Sequence, residues 1–218
     1  MIVVVGSPLH VPAGENRPSG VAGIGPAIAR SAVVAGATVQ LVGRVGNDPA
    51  GDASLIALAR EGVGHAATLR DSAAPTPIAA AFVDGADEDP LADATRQPGL
   101  GFGSSPLPLE PADVELALRY LDEFRVLVVA DPLGADGLAM AAEAASYAGA
   151  ALVVLIPDGT PAPDLLRDAT VLGAPAADPD GVFARTVGAF AAALDAGVAP
   201  AEALRSVTAA AGWEPATA

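Results

Sequence analysis

"AGATVQLVGRVGNDPAGDASLIALAREGV", residues 35–63, changes character halfway along. Residues 37–46 are β-branched and aliphatic and read as a strand. From Asp48-Pro49 the pattern turns helical, with Leu55, Leu58 and Ala59 on one face and Gly62 at the end. The same alternation runs outward in both directions. "IVVVG" (2–6) is a short buried strand, and "GPAIARSAVVAG" (25–36) is a helix opened by Pro26 and closed by Gly36. Downstream the pattern predicts a strand over 80–84, loop or edge structure over 84–108 and a helix over 111–124. It then predicts a strand over 125–130, a helix over 136–149, a strand over 151–157, a short helix over 164–168 and a strand over 169–175. Two helices, 181–196 and 200–211, close the chain. Near-continuous apolar strands alternating with helices predict a mostly parallel sheet covered on both faces.

Composition removes several classes of chemistry. The 218 residues include no cysteine and no lysine, so disulfides, thiolate catalysis, a P-loop lysine and Schiff-base chemistry are all excluded. The formal net charge of −15 disfavours nucleic acid and anionic lipid as partners. The densest apolar run, "ALVVLIP" (151–157), is far shorter than the roughly 20 residues that span a bilayer. "MIVVVGSP" lacks the basic start of a signal peptide, and the expectation is a cytoplasmic protein.

Most local motifs read as structure. "GVAGIGPAIA" (20–29) has Gly20, Gly23 and Gly25 ahead of a helix, but Ile28 stands where a dinucleotide fingerprint needs its third glycine. His10 and His65 are isolated, and Asp84, Asp87, Glu88 and Asp89 lack a cation-loop pattern, so no metal is expected. "DPDGVFARTVGAFAAALDAG" (178–197) is a loop, a glycine and a helix. Such an entrance offers N–H groups at Gly181, Val182 and Phe183 to an anion. The plainer reading is a helix start capped by Asp180. Phe183, Val187, Phe190 and Leu194 follow helical spacing and read as core, as does Trp213.

Residues 35–63 also resemble the first signature of the ribokinase-like (PfkB) sugar kinases, a strand, a V-G-x-x-G-x-D-x-x-G turn and a helix ending in E-G-V. The matching positions are Val42, Gly43, Gly46, Asp48, Gly51 and Glu61-Gly62-Val63. "DPDGVFARTVGAFAAALDAGVAPAEAL" (178–204) resembles the second signature, D-T-T-G-A-G-D-x-F-x-G-A-F with its following helices. The resemblance implies a three-layer α/β/α sandwich as one domain over 1–218, with a small β lid from about 10–20 and 66–104. It places substrate contacts near Gly23, Gly25 and Gly43.

The departures fall on the chemistry. Anchoring on Val187-Gly188-Ala189-Phe190 puts Asp178 and Gly181 on the motif's first D and first G, and Ala184 on the family's catalytic base. The resemblance implies an Asn and an Asp after the first strand, where Leu9 and Val11 stand, and a sugar-contacting Asn where Ala27 stands. The family's nucleotide-side βαβ portion has no room, because only Ala176 and Ala177 separate "TVLGAP" (170–175) from Asp178. The expectation is a pseudokinase-like protein that needs no cofactor and serves as a binding, regulatory or assembly module. Its ligand would be a small molecule or a protein partner. One alternative is an active sugar or nucleoside kinase, a phosphotransferase using Mg-ATP, in which Asp178 or Asp180 replaces the base. The other is a structural protein that dimerises through its lid strands.

Overall fold

The protein is described here by a computed structural model covering residues 1–15, 18–79 and 107–210. The strand predicted over 80–84, the acidic stretch 84–89 and Trp213 lie outside the described residues.

Six strands form one parallel sheet in the order β5-β4-β1-β6-β7-β8. They are β1 (Ile2–Val5), β4 (Val39–Gly46), β5 (Thr68–Asp71), β6 (Val126–Val129), β7 (Ala151–Pro157) and β8 (Thr170–Ala174). β1 lies between β4 and β6, with Ile2 level with Val39 on one side and Val126 on the other. Alternation sorts its four residues between two cores. Ile2 and Val4 face a layer of α1 (Ile24–Val34), α2 (Pro49–Arg60), α5 (Val182–Asp195) and α6 (Pro200–Ala210). Val3 and Val5 face α3 (Pro111–Tyr120) and α4 (Ala135–Ala148). All four are fully buried, which is why β1 carries no polar residue. The result is the expected three-layer α/β/α sandwich.

α1 and α5 pack closely because Gly188 has no side chain. A Cβ there would lie 2.5 Å from the Ser31 Cβ and 2.7 Å from the Ile28 carbonyl oxygen. The Ser31 hydroxyl donates to the Arg185 carbonyl at 3.0 Å across the same contact.

A second, antiparallel sheet joins β2 (Leu9–Val11) to β3 (Gly20–Ala22). Residues 77–79 run beside β2: the His10 N–H donates to the Pro77 carbonyl and the Ala79 N–H to the His10 carbonyl. This small sheet sits after β1, at the carboxyl end of the parallel strands.

Two expectations need correction. Residues 68–71, expected in the lid, form β5 at the edge of the main sheet, where Thr68 Oγ1 donates to the Leu41 carbonyl. The helix expected over 111–124 stops at Tyr120, because Leu121 and Phe124 turn into the core under β6. Residues 175–181 alone connect β8 to α5, in turn and loop conformation.

Candidate functional site

The first seven strands and helices, β1 to β5 with α1 and α2, build outward from β1 toward β4 and β5, and the chain then returns to build outward from β6. The reversal falls between β1 and β6. In open parallel sheets, ligands bind outside the carboxyl ends of the strands at such a point. Ser7 follows β1 there, and Asp131 follows β6.

Gly23, Gly25 and Gly43, expected near a substrate, converge on the turn after β1. A Cβ on Gly25 would lie 2.9 Å from the Gly6 Cα, and one on Gly43 would lie 2.8 Å from the Gly6 carbonyl oxygen and 2.9 Å from the Ser7 Cα. Gly23 adopts φ 114°, which L side chains rarely take, and sits against the Ser7 carbonyl. These glycines let three chain segments touch. The Ser7 hydroxyl is committed too, donating to the Leu107 carbonyl and accepting the Arg44 N–H, each at 3.0 Å.

Asp131 was not singled out from the sequence. Its Oδ2 accepts the Ser7 N–H at 2.8 Å. Burial pushes the carboxyl up to about 6, against the opposing effect of the Ser7 amide. The one sequence signal was an acid immediately after the fully apolar run "VLVVA" (126–130), at the carboxyl end of a central strand.

The lid positions aligned with sugar contacts are aliphatic in space as well as in sequence. Leu9, Val11, Ala22 and Ala79 are buried and form a cluster of their own. His10 points the other way, onto α2, with its Nδ1 3.2 Å from the Ser54 Oγ. The Ser54 hydroxyl donates to the Ala50 carbonyl, so the His10 Nδ1 is the donor in that pair. Burial lowers the His10 pKa, with Asp48 acting in the opposite direction, so the ring is neutral at pH 7.

The first signature is a joint between body and lid. Asp48 caps α2 through the Gly51 N–H at 2.8 Å and also accepts the Thr76 N–H and hydroxyl, each at 2.7 Å. The Thr76 hydroxyl oxygen accepts the Gly46 N–H at 2.8 Å. A Cβ on Gly46 would collide with the Thr76 N, and one on Gly51 with the Gly46 carbonyl oxygen. The Thr76 hydrogen bonds hold the Asp48 carboxyl below its usual range.

At the α5 entrance Gly181 is left-handed, φ 63°, and its N–H donates to the Asp178 carbonyl at 3.1 Å. That turn carries the Asp178 side chain back over the helix. Its Oδ1 accepts the Phe183 N–H at 3.1 Å and its Oδ2 the Ala184 N–H at 2.9 Å. Asp180, expected as the cap, is exposed and contributes its carbonyl to Arg185 at 2.6 Å. With Gly181 as the N-cap residue, Asp180 lies one place too early and its side chain caps nothing. The N–H of Val182 follows Gly181 at the same entrance, and the Ala184 methyl is packed in the core beside Val187. Among the described residues no group of three His, Cys, Asp or Glu is placed to hold a metal, and no helix is long and apolar enough to cross a membrane.

This α/β architecture, with a strand-built lid over one end of a parallel sheet, is ribokinase-like. Residues 10–172 match the pfkB family of carbohydrate kinases, and the chain belongs to that family. No curated protein sequence matches it closely. Among solved structures, the ribokinase of Arabidopsis thaliana, complexed with ribose and ATP, is 18% identical with a TM-score of 0.58, the match covering 96% of this chain and 90% of that one. Phosphofructokinase-2 of Escherichia coli, in complex with fructose-6-phosphate, is 14% identical with a TM-score of 0.58, covering 96% and 91%. A PfkB protein of Polaromonas sp. JS666 is 15% identical with a TM-score of 0.58, covering 98% and 96%. At these identities the likeness is one of fold.

Proposed function

We propose that this chain is a PfkB-family protein without phosphoryl-transfer activity, and that it works as a small-molecule binding module. The observation that carries the reading is the α5 entrance. Ala184 occupies the place of the family's base, and the Asp178 carboxylate holds the Phe183 and Ala184 N–H groups. Removal of a general base costs about 10²–10⁴ in rate. Phosphoryl transfer also depends on charge stabilisation by positioned donors, and here an internal carboxylate competes with any phosphate for them.

Two further features support the reading. β8 passes to α5 through residues 175–181, which leaves no stretch for a crossover that would wall in a nucleotide base. Leu9, Val11 and Ala27 offer no polar partner to sugar hydroxyls, and sites that read hydroxyls need such partners. The lid strands provide an edge through which two copies could pair, and that dimer is compatible with binding. The reading requires no Mg-ATP.

The test is ADP release and sugar-phosphate formation from Mg-ATP with a panel of sugars and nucleosides. The reading predicts neither product above a no-protein control. Turnover that depends on the acceptor, and survives purification to homogeneity, contradicts it.

A further inference from the structure

We propose that Asp131, at the reversal point between β1 and β6, is the recognition group for a small organic cation carrying a protonated amine. The inference rests on the reading that this chain binds rather than transfers, and it names the class of ligand.

The Asp131 carboxylate has the Ser7 N–H as its hydrogen-bond donor, and among the described residues no cationic side chain reaches it. Five arginines are ion-paired elsewhere: Arg30 with Glu61, Arg44 with Asp113, Arg70 with Asp52, Arg119 with Glu115 and Arg125 with Asp195. Buried carboxylates are ordinarily paired, and one without a countercharge at the carboxyl end of a central strand, where the strand order reverses, is a functional signal. Protein surrounds the carboxyl on most sides, yet the residue is not wholly closed off from solvent.

The surroundings narrow the ligand. A Cβ on Gly6 would lie 3.6 Å from the Asp131 Cγ, 3.5 Å from the Ala130 Cβ and 3.0 Å from the Gly25 Cα. The atoms beside it at Gly6, Ala130 and Gly25 are backbone and methyl groups, and among the described residues no group of three His, Cys, Asp or Glu is placed to hold a metal. A neutral polyol would leave its charge uncompensated. An ammonium supplies the missing charge and N–H donors in one contact, and charge-assisted bonds of that kind are the strong ones. The net charge of −15 favours the approach of a cation.

The experiment is thermal unfolding of the full chain with cyclohexylamine against cyclohexanol, and with D-glucosamine against D-glucose. It is run at neutral pH on the wild type and on Asp131→Asn. The expected result is a raised midpoint with an amine and none with its neutral counterpart. Asp131→Asn should abolish that shift and be at least as stable as the wild type without ligand. A flat response to both amines overturns the proposal. So does an equal response to a neutral counterpart, a shift that survives in Asp131→Asn, or a ligand-free Asp131→Asn that is less stable than the wild type. The amine effect must fade as the solution is acidified below about 6, and an undiminished effect overturns the proposal. Every arm is read without nucleotide, so a kinase activity found separately would end the reading above without deciding this one.

Discussion

Asp178 reaches forward to Ala184: its Oδ2 accepts the Ala184 N–H at 2.9 Å, while Oδ1 takes the Phe183 N–H at 3.1 Å. Two of the N–H groups that a helix start offers to an anion are thus satisfied from within the chain. Asp178→Ala frees both. The variant should lose about 1–2 kcal/mol of stability, the usual worth of a capping side chain. It should also gain more from added sulfate than the wild type does, because an outside anion can take the vacated place. Thermal unfolding of both proteins with and without sulfate measures this. An equal sulfate response in the two proteins would contradict it.

Ala184→Asp restores the residue type of the base but not its function. Ala184 is 3% exposed and packed in the core, so the new carboxylate is buried without a partner. We predict a loss of about 3 kcal/mol or more and no ADP release from Mg-ATP. Urea denaturation and a coupled ADP assay check the two halves. Activity in the variant would mean that the site lacks a base and nothing else.

Asp131 sets a pH dependence of unusual sign for a carboxylate. Its folded pKa is raised from 3.8 to about 6, so the folded protein binds this proton more tightly than the unfolded chain. The contribution is neutral below about 4. Stability then falls as pH rises from about 4 to about 6, and the penalty is complete above that, about 3 kcal/mol for a shift of this size. Asp48, whose pKa is lowered, acts in a separate window: its contribution is lost only as pH falls below its unfolded value of 3.8. The fall in urea midpoint from pH 5 to pH 7 should be smaller in Asp131→Asn than in the wild type, with part of it left by Glu61, whose pKa burial also raises. An unchanged pH difference in the variant would contradict the assignment.

Asp48→Ala should loosen the lid as well as α2. The carboxylate joins the Gly51 N–H to the Thr76 N–H and hydroxyl. Loss of a cap and of two charge-assisted bonds should cost about 2–4 kcal/mol. Amide hydrogen exchange should accelerate at Ala79, whose N–H pairs with the His10 carbonyl, more than in β1. Uniform acceleration across the sheet would show that the effect is global and that Asp48 does not anchor the lid.

The sheet was legible because its strands are buried on both faces and leave unbroken apolar runs such as "IVVV" and "VLVV". β2, β3 and β5 were not, being three or four residues long with His10 or Arg70 among them, too short to show a period. The first signature was legible as a pattern, and its reason became visible only in space, where Gly46, Asp48, Gly51 and Thr76 meet. Asp180 was expected to cap α5 from its place in the sequence. The left-handed Gly181 reversed the chain and gave that role to Asp178, which no linear spacing rule selects. Asp131 was missed because its meaning depends on lying beside Ser7, 124 residues away in the chain.

The most direct test of the central claim is thermal unfolding with and without Mg-ATP. A ligand at about a hundred times its Kd adds about 2.7 kcal/mol. For a domain of this size that raises the midpoint by roughly 5–11 °C. With Asp178 on the α5 amides and β8 joined to α5 through residues 175–181 alone, the account predicts no shift. A clear rise with Mg-ATP would show that a nucleotide site is present, and would contradict the account.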